Sequence, residues 1–166
     1  MASYLSLVFL AATTTLAETP HTAKPLIGQK EVVTVLAPPR NERNKTLALR
    51  YVARVDTGAA TCSLHAVDVT QDGDQVSFTV FSDDRKTRHR VTAQFVEKKK
   101  VITPEGSEER TKVLMRIRIG DRNTISARVT LNDRSRLSHG FLLGRNVLHG
   151  YWVDVGRGAD LQIPER

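Results

Sequence analysis

The most informative segment of this chain is Ala53-Arg54-Val55-Asp56-Thr57-Gly58-Ala59-Ala60. It overlaps the end of an apolar, β-branched run, residues 47–55, that predicts a buried strand. The strand leads into an Asp-Thr-Gly turn, in which Gly58 permits a tight bend and the close approach of another backbone. The Thr57 hydroxyl can brace the same turn. The segment therefore predicts that the Asp56 carboxylate is held in a fixed position at the end of a strand.

A carboxylate held in this way suits peptide hydrolysis by two carboxyl groups that share one proton. One group acts as a base on water, while the protonated group polarises the peptide carbonyl. Two carboxylates about 3 Å apart do not both ionise, so the pair titrates as one unit. Asp-Thr-Gly also occurs in turns without catalytic function, and the chain contains it only once. A catalytic role for Asp56 therefore requires a second carboxylate.

Length and composition are those of one globular domain. The chain has 166 residues, 40% hydrophobic and 26% charged, with a formal net charge of +7 at pH 7. The positive charge favours anionic partners or acidic surfaces but specifies no fold. A single cysteine, Cys62, excludes an intrachain disulfide and a multi-cysteine metal site. The five histidines form no close pair, so a zinc hydrolase would need ligands from distant segments, and we expect no metal and no cofactor.

The first residues are typical of an export signal. An apolar run, Tyr4 to Ala12, precedes Thr15-Leu16-Ala17, which fits a small-x-small cleavage site. The run is shorter than the ~20 residues of a spanning helix. It lacks a preceding Lys or Arg, which leaves an uncleaved anchor or a mispredicted start as alternatives. We expect a signal peptide at 1–17, a flexible leader at 18–30 and a periplasmic or secreted protein.

Short extended segments separated by turn residues make up the rest of the chain. No long segment has the 3.6-residue period of a helix, and the only helical turn is expected at 145–149. The predicted strands lie at 31–36, 47–55, 61–69, 75–81, 88–101, 112–119, 124–131, 140–144 and 151–155. This pattern predicts an all-β barrel or sandwich over residues 31–156, followed by a tail at 157–166.

A long hairpin is predicted over residues 88–119, with its tip near Pro104-Glu105-Gly106. Lys98-Lys99-Lys100 on its flank fits a solvated strand edge kept soluble by charge. These lysines and the neighbouring arginines could instead contact nucleic acid. They lack the interleaved aromatic residues of single-strand binders, so we expect no nucleic-acid partner.

A second motif, Leu142-Leu143-Gly144-Arg145-Asn146, leads into the predicted helical turn. Together with Asp56-Thr57-Gly58-Ala59 it resembles the retropepsin-like aspartic proteases, in which such a segment packs beneath the Asp-Thr-Gly loop. The resemblance is closer to a bacterial branch labelled "ATP-dependent zinc protease", through residues 56–66 and Asp133-Arg134. It covers residues 30–156. The chain has no nucleotide-binding loop and no zinc motif.

The resemblance implies a closed retropepsin-like barrel with one short helical turn after Leu142-Leu143-Gly144. Asp56 would be the catalytic aspartate, Thr57 would brace two active-site loops across a homodimer, and Gly58 would place a backbone group near the substrate. The residues expected to bind substrate are Ala59 and His65. The residues expected to support the loop are Leu143, Gly144 and Arg145. A two-fold dimer would place one Asp56 beside the other.

Several positions depart from the retroviral pattern or leave alternatives open. No acidic residue closely follows Gly58 to pair with Arg145, so Asp133 and Asp154 are the candidate partners. The hairpin tip lacks the Gly-rich flap sequence. His65 is either functional or structural, and Cys62 fits a buried small hydrophobe better than a nucleophile. The remaining aromatic pair, Tyr151 and Trp152, belongs to the core or to a dimer interface.

The sequence thus predicts an aspartic endopeptidase that acts as a homodimer on a peptide or protein substrate. The resembled branch is associated with systems that ligate glutamate to proteins or peptides, so components of such a system are expected partners. The alternative is a non-catalytic β-barrel on the same scaffold, which binds acidic peptides in a basic groove by adding a strand to a sheet edge. Approach of two Asp56 carboxylates in a dimer would discriminate between them.

Overall fold

The computed structural model describes residues 23–40, 44–82, 84–103 and 106–158, and these form an almost entirely β structure. The elements of this part of the chain are β1 (Leu26–Ile27), β2 (Lys30–Ala37), β3 (Leu47–Val55), β4 (Cys62–Asp72), β5 (Gln75–Phe81), β6 (Arg88–Thr103), β7 (Gly106–Ile119), β8 (Ile125–Asn132), β9 (Phe141–Leu143), α1 (Arg145–Leu148) and β10 (Trp152–Val153). The predicted signal peptide at 1–17, the start of the leader, most of the tail and two residues of the predicted hairpin tip lie outside the described residues.

Eight of these strands form one sheet that closes on itself. Their order is β2-β3-β9-β4-β5-β6-β7-β8, and additional pairings of β2 with β7 and of β4 with β8 complete the ring. Most neighbours are antiparallel, but β3 pairs with β9, and β4 with β8, in parallel. The prediction of a closed all-β barrel with one helical turn after Leu142-Leu143-Gly144 is confirmed, since α1 begins at Arg145.

The core follows from the two-residue period of the strands. In β7, Val113, Met115, Ile117 and Ile119 are buried, whereas the residues between them point outward. Phe78 and Phe141 are the largest of the fully buried side chains. Burial of such side chains contributes about 1.5–3 kcal/mol each. The alternation of apolar and polar residues in the sequence therefore determines which face of the barrel wall points inward.

β3 departs from this alternation toward its end, as its sequence predicts. Tyr51, Val52 and Ala53 are all buried, so both faces of the strand are covered at these three residues, whereas Arg54 is exposed. Its carboxyl end is paired by β2 on one side and by β9 on the other. The strand that delivers Asp56 is therefore fixed more firmly than an edge strand would be.

A second, two-stranded sheet joins segments from opposite ends of the described chain. β1 pairs in parallel with β10, with Leu26 opposite Trp152 and the fully buried Ile27 opposite Val153. The expectation of a flexible leader up to residue 30 is therefore wrong for residues 26–30, because this pairing and the start of β2 place them in the folded domain. The last strand is also shorter than predicted.

The long hairpin predicted from the sequence is formed by β6 and β7. These strands stay in register from Gln94 opposite Leu114 to Thr103 opposite Gly106, with one irregularity between Phe95 and Glu97. In the described ranges, no helix has the length and apolar character needed to cross a membrane.

Candidate active site

Asp56 lies directly after β3, between two main-chain segments that hold it. Its N–H donates to the Leu143 carbonyl at 2.9 Å, which extends the parallel pairing of β3 with β9 by one residue. The preceding residue, Val55, donates its N–H to the Gln29 carbonyl at 2.9 Å. Asp56 is thus bonded to β9, and the residue before it is bonded to the segment after β1, so backbone contacts on both sides set its position.

The turn fixes one oxygen of the carboxylate and leaves the other free. Oδ1 of Asp56 accepts hydrogen bonds from the N–H groups of Gly58 at 2.9 Å and Ala59 at 3.1 Å. Within the described residues Oδ2 has no such partner. A Cβ on Gly58 would lie 3.2 Å from Oδ1, so a glycine keeps the turn unstrained. Asp56 is half-buried, and its unbonded Oδ2 is not sealed from solvent.

Gly144 is the point at which the second motif passes beneath the first. A Cβ on this glycine would lie 2.5 Å from the Thr61 carbonyl oxygen and 2.9 Å from the Cys62 nitrogen. Real Cβ atoms do not come so close to backbone, so only glycine fits at this crossing. The predicted contact between the Asp-Thr-Gly loop and the Leu-Gly-Arg segment is therefore a direct backbone contact.

The start of α1 is capped by the active-site loop. The first N–H groups of a helix have no partner within the helix. Here Arg145 N–H donates to the Ala59 carbonyl at 2.9 Å, and Asn146 N–H donates to the Ala60 carbonyl at 3.2 Å. No side chain caps this helix. The loop after Asp56 and the helix thus satisfy each other's backbone groups.

Arg145 supports the turn through main-chain carbonyls, and its guanidinium forms no ion pair in the described chain. Its Nη1 donates to the carbonyls of Thr57 at 3.1 Å and Gly58 at 2.7 Å. The candidate partners Asp133 and Asp154 are both wrong. Each carboxylate instead accepts a backbone N–H two residues further along its own chain segment.

Asn146 supports the site, a role that its place in the second motif alone does not predict. Its Oδ1 accepts the Cys62 N–H at 2.9 Å, and its Nδ2 donates to the Arg128 carbonyl at 2.9 Å. Asn146 therefore connects α1 to β4 and β8. Its place in the Gly-Arg-Asn sequence was the signal that could have identified it.

Cys62 is fully buried beside this crossing. Gly144 donates its N–H to Cys62 Sγ at 3.4 Å, and burial raises the pKa of the thiol to about 11. The reactive form of a cysteine is the thiolate, which this environment disfavours. The structure therefore supports the interpretation of Cys62 as a buried small hydrophobe.

Thr57 and Ala59 stay close to the carboxylate, whereas His65 lies further along β4. The Thr57 side chain is exposed, and its hydroxyl has no hydrogen bond in the described part of the chain. His65 is buried, and its Nδ1 accepts the Arg134 N–H at 2.9 Å. Its ring stacks on Phe81 with the centroids 4.9 Å apart. These contacts give His65 a structural role, and substrate binding by Ala59 and His65 stays a prediction.

Burial also determines the protonation of His65. It lowers the pKa of the ring, and the nearby Asp133 carboxylate opposes the shift only in part. The neutral ring offers Nδ1 as the acceptor for Arg134 N–H, whereas a protonated ring would carry a proton there. His65 is therefore a neutral anchor for the segment that follows β8.

A cleft of about 460 Å³ opens beside the loop that follows Asp56. Its lining residues are Ala60, Thr61, Lys99, Lys100, Arg110, Lys112 and Thr130. Arg110 pairs with Glu108 and Lys112 with Glu97, but neither glutamate lines the cleft. The cleft is therefore cationic. In the described ranges no three His, Cys, Asp or Glu side chains are grouped as a metal site requires.

Comparisons with known proteins agree with this geometry. A family model described as "RimB-like: Retropepsin-like aspartic endopeptidase RimB" matches residues 41–161. The fold is similar to the crystal structure of Lpg0085 from Legionella pneumophila subsp. pneumophila str. Philadelphia 1, a protein with unknown function (DUF785), with a TM-score of 0.62 and 28% identity. That match covers 81% of this chain and 95% of Lpg0085. No curated protein matches the chain.

The backbone crossing makes a testable prediction at Gly144. Gly144→Ala should lower the free energy of unfolding by roughly 3 kcal/mol, because the added Cβ would have to displace the Thr61 backbone. Gly150→Ala is the matched control, since the nearest atom to its Cβ would be the Val147 oxygen at 3.7 Å. Urea denaturation at one protein concentration measures both. Equal effects of the two substitutions would contradict the proposed crossing constraint.

His65 predicts a pH dependence of stability. Because its pKa is lowered in the folded protein, the unfolded chain binds more protons as the pH falls through about 6.5. The free energy of unfolding should therefore decrease on acidification through this range, until the pH is below the folded pKa. His65→Gln should flatten this part of the profile, and the exposed His149→Gln should not. Thermal unfolding between pH 7.5 and pH 5 provides the test, and an unchanged slope in His65→Gln would reject it.

Proposed function

The chain belongs to the RimB-like family of retropepsin-like aspartic endopeptidases, and from this premise we propose that it hydrolyses peptide bonds as a homodimer. The observation that carries the proposal is the Asp56 carboxylate. It is held by backbone on both sides, with Oδ1 bonded to two N–H groups and Oδ2 free in the described chain. Such a group is positioned for acid–base chemistry but supplies only half of an aspartic-protease pair.

In the proposed reaction, a water molecule lies between two Asp56 carboxyl groups that share one proton. The ionised carboxylate takes a proton from the water while a C–O bond forms to the peptide carbonyl. The protonated carboxyl group donates its proton to the carbonyl oxygen. Collapse of this tetrahedral intermediate breaks the C–N bond, and a carboxyl proton passes to the leaving amine. The free Oδ2 of each protomer is the atom proposed to face the water.

Exposed apolar side chains in and just after the β1–β10 sheet support a second copy as the source of the other carboxylate. Trp152 is 63% exposed, and Leu26 opposite it in the β1–β10 sheet is 42% exposed. Val155 just beyond is 76% exposed. Exposed groups of this kind are typical of interfaces. Gln29, which follows β1, bonds to Val55, so this surface adjoins the active-site strand.

A two-fold axis through this surface would bring two copies of the same residues together, as an isologous interface requires. It would place two exposed Thr57 hydroxyls at the junction of the loops, where they could brace one another as the sequence predicts. The lack of a hydrogen bond to this hydroxyl in the described protomer supports that arrangement.

The alternative function is a peptide-binding barrel without catalysis. The observation that favours it is the cationic cleft beside Ala60 and Thr61, which could hold an acidic peptide without a second Asp56. Binding without cleavage by the wild-type protein would support this alternative.

Two further expectations stay predictions. The periplasmic or secreted location depends on residues 1–17, which lie outside the described chain. The components of a glutamate-ligation system are proposed partners on the strength of the sequence resemblance alone. The family description names an aspartic endopeptidase, and the branch label "ATP-dependent zinc protease" forms no part of it.

The catalytic proposal predicts the effect of Asp56→Asn. Cleavage of a peptide library, followed by mass spectrometry, should fall by about 10³-fold or more. The fold should be kept, because the amide oxygen of Asn can still accept the Gly58 and Ala59 N–H groups. Asp121→Asn, in an exposed turn, is the matched control. Full activity of Asp56→Asn would reject the assignment.

Mixing tests whether the two halves of the site come from different chains. After exchange of equal amounts of wild type and Asp56→Asn, random pairing should leave about one quarter of the dimers with two Asp56 carboxyls. Activity should fall to about that fraction of the value for the same total protein as wild type. A fall to only about half would show that each chain acts alone.

The interface proposal predicts the effect of Trp152→Glu. Two buried like charges near the axis should weaken the dimer at least tenfold, which sedimentation velocity would detect. Activity should become strongly dependent on protein concentration and recover at high concentration. Leu137→Glu is the control, because this side chain is 47% exposed and lies outside the β1–β10 sheet. Unchanged association of Trp152→Glu would place the interface elsewhere.

A further inference from the structure

One side of the barrel wall carries charges of a single sign on its outer surface. The strands β3, β2, β7 and β8 are neighbours in that order, and every second residue of each strand points outward. Along β2, β3, β8 and residues 112–118 of β7, the charged residues that point outward are all basic. They are Lys30, Arg50, Arg54, Lys112, Arg116, Arg118 and Arg128. The whole chain has 18 acidic residues for 25 basic ones, so this surface is more basic than the composition predicts.

The register of the strands places four of these arginines close together. Arg50 and Arg118 lie opposite Thr34 of β2, one on each side of it. Arg116 is two residues before Arg118 on β7, and Arg128 is on β8, two residues beyond the partner of Arg116. With strands about 4.8 Å apart and about 3.3 Å per residue, the four Cα atoms form a diagonal strip about 20 Å long. This strip of four residues is the arginine face.

The guanidinium groups of the arginine face are free in the described part of the chain. All four residues are exposed, and none of their side chains forms a hydrogen bond or an ion pair there. Two acidic residues lie near the edge of the face. Glu97 is within electrostatic range of Arg128, but its carboxylate is paired with Lys112. Asp121, in the turn after β7, forms no ion pair with Arg118. The face thus presents four positive charges that no described carboxylate neutralises.

The chemistry of this surface fits a layer of phosphate groups. A guanidinium binds phosphate through two parallel hydrogen bonds. Between the arginines the outward residues are mainly apolar, with Leu114 37% exposed and Val32 and Leu36 half-buried. The face has no aromatic side chain that could stack on a nucleic-acid base. The export signal predicted at 1–17 would also bring the chain to membranes and away from nucleic acid. Lipid headgroups are therefore the favoured source of phosphate.

We propose that the arginine face docks the protein on the surface of an anionic lipid bilayer, with its guanidinium groups bound to headgroup phosphates. This inference goes beyond peptide hydrolysis and does not depend on it. Asp56 lies about 20 Å further along the chain direction of β3 than Arg50, so docking through the wall leaves the candidate active site uncovered. No residue of the face belongs to β1 or β10, so the surface proposed for dimerisation also stays free.

Binding of the full-length chain to vesicles tests the proposal. The vesicles contain phosphatidylcholine alone or with about one third phosphatidylglycerol, and co-sedimentation at low salt measures the bound fraction. Wild type should bind the anionic vesicles at least about 100-fold more tightly, because each basic residue near such a surface contributes roughly fivefold. Raising the salt to about 0.5 M should remove most of this preference. The apolar run at the start of the chain is present in every variant, so differences between variants report on the arginine face.

Paired substitutions locate the binding surface. Arg116→Gln/Arg118→Gln should weaken binding to the anionic vesicles about 20-fold, with little change for phosphatidylcholine. Arg50→Gln/Arg128→Gln, on two other strands, should act to a similar extent and provides a second variant if the first does not fold.

Lys86→Gln/Arg136→Gln is the matched control for both pairs. It removes the same charge from exposed positions in the turn after β5 and in the segment after β8. Because these two positions lie outside the arginine face, the control should weaken binding less than about threefold.

Equal binding of wild type to the two kinds of vesicle, or equal losses in the face and control variants, would overturn the proposal. Tighter binding to an RNA duplex of about 20 base pairs than to anionic vesicles, lost in Arg116→Gln/Arg118→Gln, would also overturn it and assign the face to nucleic acid. Asp56→Asn should bind vesicles as wild type does. A protein that binds anionic vesicles through these arginines but cleaves no peptide would therefore support this inference and reject the proposed endopeptidase.

Discussion

The crossing of Gly144 beneath the Thr61–Cys62 backbone is the constraint on which the rest of the site depends. No side chain fits at this point, and the two segments meet at backbone distance. The crossing lets the first N–H groups of α1 reach the carbonyls of Ala59 and Ala60. It also brings Arg145 within reach of the carbonyls of the Asp-Thr-Gly turn. Without this crossing, the loop after Asp56 would lose its hydrogen bonds to α1 and to the Arg145 side chain.

The sequence could predict those parts of the structure that depend on local pattern. The alternation in 75–81 predicts β5 with its observed bounds, and the apolar run 47–55 predicts β3. The contact of the Asp-Thr-Gly loop with the Leu-Gly-Arg segment was predicted from the resemblance to the retropepsin-like proteases, and each of the two motifs that carry this resemblance is short. In these cases the physical signal and the residues that carry it lie within one short segment.

The parts that the sequence could not predict depend on contacts between distant main-chain groups. β1 has two residues, too few to show a periodic pattern in the sequence. It forms because it pairs with the distant strand β10 and because Ile27 is buried in the core. The partners of Arg145 are main-chain carbonyls. Because every residue has such a carbonyl, residue types alone could not predict these hydrogen bonds. Arg134 belongs to the Asp133-Arg134 motif, but nothing in that motif predicts that the residue is buried. Its burial follows from the contacts of His65 and His139, which only the folded chain brings together.

The pairing of β1 with β10 has a consequence for the order of events during synthesis. Its two partners, Leu26 and Trp152, lie near opposite ends of the described chain, so the small sheet has very high contact order. Loop closure over such a distance is slow and comes late in folding. The surface proposed for dimerisation thus matures only after nearly the whole domain has left the ribosome. In the proposed homodimer, the surface that brings the two Asp56 carboxyl groups together would therefore be among the last parts of the domain to form.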